Sequence, residues 1–160
     1  MGRLADALVM DVDGVLTDGG FWWGPDGQEW KRFCFADVMG ISLGKKAGLA
    51  FGLISGEASE LVDRFAAKMG IELVYKGIKD KGAALREFAA RSGIPLARIC
   101  YIGDDVNDLS AIAIAGLSAA PANAVAAVQA AVNWRLEARG GDGAVRELVE
   151  KLLADTPHAG

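Results

Sequence analysis

Short apolar runs that stop abruptly at a polar residue recur along the chain. Three of them end at or just before Asp11, Ser55 and Asp104. Runs of this length predict buried strands that carry polar side chains to the edge of a sheet. The predicted strands lie at 6–11, 49–54, 71–75, 98–103, 117–119 and 132–134.

Helical segments separate these strands, and several of them are closed by a glycine such as Gly48, Gly70 or Gly93. The predicted helices lie at 38–47, 57–69, 79–91, 109–115, 123–131 and 144–154. Alternation of strands and helices predicts βαβ units with right-handed crossovers. The predicted fold class is therefore α/β, a three-layer α/β/α sandwich around a central parallel sheet of Rossmann-like type, with no inserted cap domain.

An aromatic segment at about 19–35 interrupts the alternation. Its turn sequence, Gly24 to Gly27, lies between two extended stretches, which predicts a β-hairpin. A two-stranded hairpin buries little surface by itself. We therefore expect its aromatic side chains to form a subunit interface, with packing on their own domain as the alternative. These side chains are Trp22, Trp23, Trp30 and Phe33.

The composition is that of one globular domain spanning 1–160. Hydrophobic residues make up 52% of the 160 positions, which is enough apolar material for a core. The net charge of -4 argues against a nucleic-acid-binding surface. An acidic chain can nevertheless bind an anionic substrate where a metal ion or lysines reverse the local field.

The positions of the cysteines and the histidine, and the lack of a visible targeting signal, argue against several kinds of site and against membrane association. Cys34 and Cys100 form no CxxC motif, so neither a zinc site nor a disulfide framework is indicated, and we expect Cys100 to be buried. His158, the one histidine, lies in a tail that we expect to fray, which argues against histidine catalysis. No signal peptide or uninterrupted membrane span is visible, so we expect a cytoplasmic protein without membrane association.

Polar and reactive side chains follow four of the predicted strands. In a parallel sheet the carboxyl ends of the strands meet at one edge, where ligands bind. Several carboxylates placed at such an edge are energetically costly, and they therefore indicate a functional site. The residues concerned are Asp11, Asp13, Ser55, Gly56, Lys81, Asp104 and Asp108.

Each of these features has a purely structural alternative. The first acidic pair could form a turn, Ser55 and Asp104-Asp105 could cap helices, and Lys81 could be a solvated lysine on a helix. The coincidence of all four features at one sheet edge favours the functional interpretation.

The motifs DVDGVLTDG, ISG, GIKDKGAAL and GDDVND, in this order, resemble the four motifs of the haloacid-dehalogenase-type phosphatases. The resemblance covers Leu8 to Leu153. The hairpin, the lack of a cap, the segment GLSAAPANA and the late loop RGGDGAVRE resemble the cap-less branch typified by keto-deoxy-octulosonate (KDO) 8-phosphate phosphatase. That branch includes phosphatases for nine-carbon ulosonate 9-phosphates of the ketodeoxynononate (KDN) type. The resemblance implies a HAD-like fold and hydrolysis of a phosphorylated 2-keto-3-deoxy sugar acid.

Two of the motif residues are implied to carry the catalysis. Asp11 is expected to attack phosphorus and form an aspartyl-phosphate. Asp13 is expected to protonate the leaving alcohol and then to deprotonate the attacking water. The phosphoryl oxygens are expected to be bound by Ser55, Gly56 and Lys81.

Mg²⁺ is the expected cofactor. Clustered carboxylates cannot all stay ionised without a cation, and Mg²⁺ prefers oxygen ligands. The resemblance implies that the ligands are the Asp11 carboxylate, the Asp13 backbone carbonyl and the Asp104 carboxylate. It also implies that Asp105 and Asp108 lie just behind these ligands.

The uncapped pocket must be closed by some other part of the protein. In the resembled branch a homotetramer does this, with the hairpin of one subunit and the tail loop of another lining a neighbour's site. The segments 19–35 and 139–143 match those parts. The resemblance thus implies a homotetramer in which Arg139 binds a sugar-acid carboxylate.

Position 57 departs from the octulosonate pattern, which usually has arginine there. Glu57 should disfavour a nearby carboxylate and favour hydroxyls or an amine. The nine-carbon branch is similar in carrying this glutamate and a lysine eleven residues later, here Lys68. An arginine expected eight residues after position 57 is replaced by Phe65, with Arg64 one position earlier. We therefore favour a nine-carbon ulosonate 9-phosphate as substrate, with the octulosonate 8-phosphate as the alternative.

Three other classes of protein fit the sequence less well. A phosphorylatable receiver-like signalling domain needs an aspartate after the third strand, but that strand ends in Tyr75-Lys-Gly. A dinucleotide-binding domain needs a GxGxxG motif after a strand, which is missing. A catalytically silent interaction domain would have no need for both Asp11 and Asp13.

Overall fold

A computed structural model describes residues 2–154, and within this range it contains the predicted strands, hairpin and helices. His158 and the tail that was predicted to fray lie outside the described residues. The strands are β1 (Ala7–Met10), β2 (Trp22–Trp23), β3 (Glu29–Trp30), β4 (Ala50–Ile54), β5 (Leu73–Tyr75), β6 (Ile99–Ile102), β7 (Leu117–Ala120) and β8 (Trp134–Arg135). The helices are α1 (Phe35–Lys46), α2 (Glu60–Met69), α3 (Lys81–Ser92), α4 (Leu109–Ile114), α5 (Ala126–Ala131) and α6 (Ala144–Ala154).

Six strands form one sheet in the order β5-β4-β1-β6-β7-β8, and all of its pairings are parallel. β1 lies in the interior of the sheet, with Met10 beside Leu53 of β4 and Ile102 of β6. The helices cover both faces, which confirms the predicted α/β/α sandwich. Because β1, β4 and β6 run in parallel, their carboxyl ends meet at one edge of the sheet.

The side chains of β1 alternate between two apolar cores, as the pleat of a strand requires. Leu8 and Met10 belong to the core that includes residues of α1, α2 and α6. Ala7 and Val9 belong to the core that includes residues of α3, α4 and α5. Cys100 is fully buried in the first core, as predicted. All four residues of β1, Ala7 to Met10, are fully buried, and this burial fixes the strand that carries the first acidic motif.

Four helices begin at other positions than predicted. α1 begins at Phe35, three residues early, whereas α2 and α5 begin three residues late and α3 begins two residues late. The start of α2 shifts because Ser59, and not Ser55, caps it by accepting a hydrogen bond from the Leu61 backbone N–H at 3.2 Å. The segment between β4 and α2 is thereby left as a loop at the sheet edge. The prediction that Ser55 might cap this helix was wrong.

The hairpin pairs β2 with β3, with Trp22 opposite Trp30. The side chains of Trp22, Trp23 and Trp30 remain 60%, 71% and 54% exposed, so they do not pack on their own domain. Phe33 behaves differently, because it stacks on Phe65 of α2 at 4.6 Å between ring centroids. For Phe33 the alternative prediction, packing on its own domain, is therefore confirmed.

The alanine-rich stretch at 109–132 folds as α4, β7 and α5. Across residues 2–154, no helix has both the length and the apolar character that a membrane span requires.

Candidate active site

The carboxyl edge of the sheet holds a polar cavity of about 230 Å³. Asp11 follows β1 directly, Gly56 follows β4 after Ser55, and Lys81 is the first residue of α3. The predicted residues thus come together from four separate stretches of chain. The cavity is lined by Asp11, Asp13, Gly19, Gly56, Glu57, Lys81, Asp104, Asp105 and Asn107.

Lys81 lies at the centre of this arrangement and has no solvent exposure. Its Nζ lies 3.0 Å from Asp11 Oδ1 and 2.9 Å from Asp108 Oδ1. Burial alone would lower the pKa of Lys81, but the charges of the two carboxylates outweigh it and raise that pKa. Lys81 is therefore a fixed cation in the floor of the cavity, and the alternative of a solvated lysine was wrong.

Asp108 is fully buried and accepts hydrogen bonds from donors other than Lys81 as well. The Tyr101 hydroxyl donates to Asp108 Oδ1 at 2.6 Å. The backbone N–H groups of Asp104 and Asp105 donate to Asp108 Oδ2 at 2.9 and 3.2 Å. Burial would raise the pKa of Asp108, yet the Lys81 charge and these hydrogen bonds lower it. Asp108 is thus an ionised support that orients Lys81 and the Asp104 loop.

Asp11 and Asp104 are less fully compensated, although Asp11 pairs with Lys81 and accepts a hydrogen bond from the Val12 backbone N–H at 2.7 Å. Burial, and next the charge of Asp108, raise the pKa of Asp11. Burial is also the main reason why the pKa of Asp104 rises to about 6. Carboxylates in this condition favour a proton or a cation between them.

The donor set at this point fits a divalent cation that prefers oxygen. Carboxylate oxygens of Asp11, Asp104 and Asp108 all lie within 4.8 Å of one another. Oxygen-only donors at this spacing suit Mg²⁺, which binds through one or two carboxylates and keeps further positions for water or substrate. Because Asp108 is already engaged by four donors, Asp11 and Asp104 are the carboxylates left to hold an ion.

Asp13 lies at the rim of the cavity, and its side chain is 30% exposed. The Nζ of Lys31, on the segment that follows β3, lies 2.9 Å from Asp13 Oδ1 and 3.1 Å from Oδ2. Burial would lower the pKa of Lys31, but Asp13 and, more weakly, Glu29 raise it. Sequence reasoning missed Lys31, because it stands among polar and aromatic residues of a hairpin that we assigned to assembly.

Gly56 and Asn107 also line the cavity, and Ser55 lies directly before Gly56. Ser55 is buried, and its hydroxyl accepts a hydrogen bond from the Glu57 backbone N–H at 3.1 Å, which shapes a tight turn. Asn107 belongs to the short turn of helix Val106–Asp108, and its amide nitrogen lies 3.5 Å from the position that a Cβ atom at Gly56 would take. The motif GDDVND contains Asn107, but sequence reasoning gave that residue no role.

Asp105 caps a helical turn and also lines the cavity. It caps the turn Val106–Asp108 in a capping box with Asp108, so the predicted cap interpretation is confirmed for this residue. It also lines the cavity beside Asp104. The cap fixes how the loop after β6 presents its carboxylates.

The three predicted specificity residues do not lie together. Glu57 lines the acidic cavity, whereas Lys68 of α2 lines a separate cavity of about 270 Å³ beside the hairpin. Lys68 Nζ lies 5.9 Å from the centroid of the Phe35 ring. Arg139 is exposed on the loop after β8 and lines neither cavity. Within residues 2–154 of one chain, Glu57, Lys68 and Arg139 therefore do not line a common cavity.

The loop that carries Arg139 nevertheless packs directly beneath the first motif. A Cβ atom at Gly140 would come within 1.9 Å of the Gly14 backbone oxygen, so only glycine fits there. Asn123 ties the two segments together, since its side chain donates to Gly14 O at 3.0 Å and accepts from Gly140 N at 2.7 Å. This contact holds the loop after Asp13 in place.

Comparison with known proteins identifies relatives over most of the chain. The family model for haloacid dehalogenase-like hydrolases matches residues 57–148. The 3-deoxy-D-manno-octulosonate 8-phosphate phosphatase KdsC of Haemophilus influenzae is 36% identical over 146 residues, which is 91% of this chain and 81% of the relative.

Solved structures of related phosphatases superpose closely on this chain. The 3-deoxy-D-manno-octulosonate 8-phosphate phosphatase of Moraxella catarrhalis, in complex with a magnesium ion, a phosphate ion and KDO, superposes with a TM-score of 0.93 at 35% identity. The match covers 96% of this chain and 88% of that one. A probable YrbI family phosphatase from Pseudomonas syringae superposes with a TM-score of 0.94 at 36% identity, over 99% and 90% of the two chains.

The raised pKa of Asp104 predicts a pH dependence of stability in metal-free protein. A carboxyl group whose pKa is higher in the folded chain than its ordinary 3.8 binds a proton on folding. The contribution of Asp104 to the free energy of unfolding should therefore fall as the pH rises from about 4 to about 6 and then level off. Urea unfolding in the presence of a chelator measures this slope.

The variant Asp104→Asn should flatten the slope, because an amide does not titrate. Addition of Mg²⁺ should stabilise the wild-type protein more at neutral pH than at acidic pH, since the ion competes with the proton. An Asp104→Asn protein with an undiminished slope would contradict this account of the acidic cluster.

Proposed function

The chain belongs to the haloacid dehalogenase-like hydrolases and is a phosphatase, and we propose that its substrate is a phosphorylated 2-keto-3-deoxy sugar acid. We take 3-deoxy-D-manno-octulosonate 8-phosphate as the first candidate, because relatives that match 91% of this chain are named for that reaction. The observation that carries the catalytic part is the cluster in which Lys81 Nζ contacts both Asp11 and Asp108.

Mg²⁺ is the proposed cofactor, held by the carboxylates of Asp11 and Asp104 and by the backbone carbonyl of Asp13. The relative from Moraxella catarrhalis was solved with magnesium, and the oxygen donors described above suit the same ion. When bound, Mg²⁺ would neutralise the carboxylates and the phosphate and thereby keep Asp11 ionised at neutral pH.

Asp11 is the proposed nucleophile. Its carboxylate oxygen attacks phosphorus, and the bond between phosphorus and the sugar oxygen breaks. Lys81 is held 3.0 Å from Asp11 and supplies positive charge to both the nucleophile and the phosphoryl oxygens. Gly56, the turn that Ser55 shapes, and the Asn107 amide provide further donors to the cavity.

Asp13 is the proposed general acid and base. It gives a proton to the departing sugar oxygen, which leaves as an alcohol. In the second half of the reaction Asp13 takes a proton from the attacking water. The water oxygen then bonds to phosphorus, the Asp11–phosphorus bond breaks, and inorganic phosphate leaves.

A nine-carbon ulosonate 9-phosphate is the second candidate substrate, and Glu57 is the observation that favours it. Glu57 lines the same cavity as Asp11 and adds negative charge to it. A carboxylate of the substrate would be repelled there, whereas hydroxyls would be bound. A receiver-like signalling role has no comparable support, because β5 ends at Tyr75 without a phosphorylatable aspartate.

Assembly into a homotetramer is the proposed means of closing the pocket. Three tryptophans on the hairpin are more than half exposed in the single chain. Exposed apolar surface of this kind commonly marks a protein interface. Arg139, exposed on its loop, is available to a neighbouring subunit in such an assembly.

Replacement of the nucleophile tests the mechanism. Asp11→Asn should lower the Mg²⁺-dependent turnover of p-nitrophenyl phosphate by about 10⁴-fold or more, because an amide cannot form the covalent intermediate. Acid-quenched wild-type protein should carry a phosphate that hydroxylamine removes, as an acyl phosphate does. Asp63→Asn, an exposed carboxylate on α2, is the control and should keep full activity. Wild-type turnover in Asp11→Asn would refute the proposed reaction.

An exchange at position 57 tests the choice of substrate. Glu57→Arg should raise the ratio of kcat/KM for the octulosonate 8-phosphate over the nononate 9-phosphate by about tenfold, since it replaces repulsion of a carboxylate by attraction. Glu60→Arg, an exposed site at the start of α2, makes the same change of charge outside the cavity and should leave the ratio unchanged. If this ratio is the same in the wild type and in Glu57→Arg, then Glu57 does not determine the choice of substrate.

A substitution that introduces a charge into the hairpin tests whether the hairpin holds the subunits together. Trp22→Asp should shift the protein from a tetramer to smaller species in size-exclusion chromatography with light scattering, because the new carboxylate would have to be buried. Gln28→Asp changes an exposed polar position of the same hairpin and serves as the control. If Trp22→Asp keeps the wild-type mass, the hairpin does not hold the subunits together.

A further inference from the structure

Lys31 is a buried cation that the reaction described above leaves without a role. Only 3% of its side chain is exposed, although it follows directly after a hairpin whose tryptophans face solvent. An ammonium group in such a position is costly unless it is paired. Its partner is the Asp13 carboxylate, with Glu29 further away at 3.4 Å.

The geometry of the pair fixes the direction of the Asp13 carboxylate. Lys31 Nζ lies within hydrogen-bonding distance of both oxygens, at 2.9 Å from Oδ1 and 3.1 Å from Oδ2. Rotation of the carboxylate would break one of these contacts. Between residues 2 and 154, no other side chain donates a hydrogen bond to this carboxylate.

The hairpin in turn fixes Lys31. Glu29 of β3 faces Lys31 with Oε1 at 3.4 Å, and its other oxygen accepts a hydrogen bond from the Trp23 indole N–H at 3.2 Å. A row of contacts therefore joins Trp23, Glu29, Lys31 and Asp13. It connects the aromatic surface of the hairpin with the rim of the cavity.

We propose that Lys31 is a positioning residue, which holds Asp13 where it can meet the leaving oxygen and, later, the attacking water. It acts through Asp13 and does not contact the reacting atoms. The proposal rests on the proposed function, in which Asp13 moves the proton in both half-reactions. A general acid or base must stay within about 3 Å of the atom it serves, so a freely rotating carboxylate would be less effective.

A double-mutant cycle tests this role against other roles of Lys31. The variants are Lys31→Met, Asp13→Ala and the combination, assayed with p-nitrophenyl phosphate and Mg²⁺ under steady-state and single-turnover conditions. Lys31→Met should lower kcat by about 10-fold to 100-fold and change KM by less than about twofold. In the Asp13→Ala background the same replacement should cost no more than about twofold, because its target is already gone.

Conservative replacements and a matched control accompany the cycle. Lys31→Arg and Lys31→Gln keep a donor near Asp13 and should retain more activity than Lys31→Met. Arg32→Met removes one positive charge from the adjacent, exposed position and should leave kcat unchanged. If Lys31→Met fails to fold, as judged by urea unfolding, the Gln variant takes its place in the cycle.

Two results would overturn the proposal. An equal loss in both backgrounds would mean that Lys31 acts independently of Asp13, for example by anchoring the hairpin. A rise in KM with kcat unchanged would make Lys31 a substrate-binding residue. Failure of the proposed function itself is recognised separately, because Asp11→Asn would then retain activity whatever the outcome of the cycle.

Discussion

The burial of one ammonium group between two carboxylates is the constraint on which the sheet edge depends. Lys81 is fully buried, and an unpaired charge in that position would be strongly destabilising. It is tolerated because Asp11 and Asp108 approach from different strands, and because Asp108 is itself held by Tyr101 and two backbone N–H groups. Any change that separates β1 from β6 would leave these charges unpaired.

The fold could be predicted from the sequence because its strands are short, apolar and clearly ended. Four residues of β1 are fully buried, and a run of this kind between helical segments has few other solutions. Helix starts were predicted less well, since several serine and aspartate residues near each start are plausible caps. Only the packing of the loop after β4 decides that Ser59 rather than Ser55 caps α2. That choice depends on tertiary contacts, which a local pattern does not contain.

The candidate site likewise contains residues that could be predicted from the sequence and residues that could not. Asp11, Lys81 and Asp104 could be predicted, because each follows a strand and parallel strands bring their ends together. Lys31 and Tyr101 could not. Lys31 is eighteen positions from its partner Asp13 and reaches it only through the path of the hairpin. Tyr101 lies inside the apolar run of β6, where the packing role of an aromatic ring conceals the hydrogen bond of its hydroxyl.

Charge is distributed unequally between the two cavities beside the hairpin, and this bears on how the proposed substrate, a sugar acid phosphate, would be held. The acidic cavity contains five carboxylates and a single cation, Lys81. The neighbouring cavity is lined by Arg64 and Lys68 among phenylalanine side chains, and also by Lys31, whose charge is already paired with Asp13. An anion with two charged ends cannot place its carboxylate beside Glu57 without repulsion, whereas positive side chains in the second cavity or on another subunit would attract it. In the proposed function, phosphoryl transfer depends on the charge cluster at Lys81, whereas recognition of the sugar acid depends on Glu57 and on side chains outside that cluster. Variation at α2 can then change the substrate without disturbing the charge cluster at Lys81.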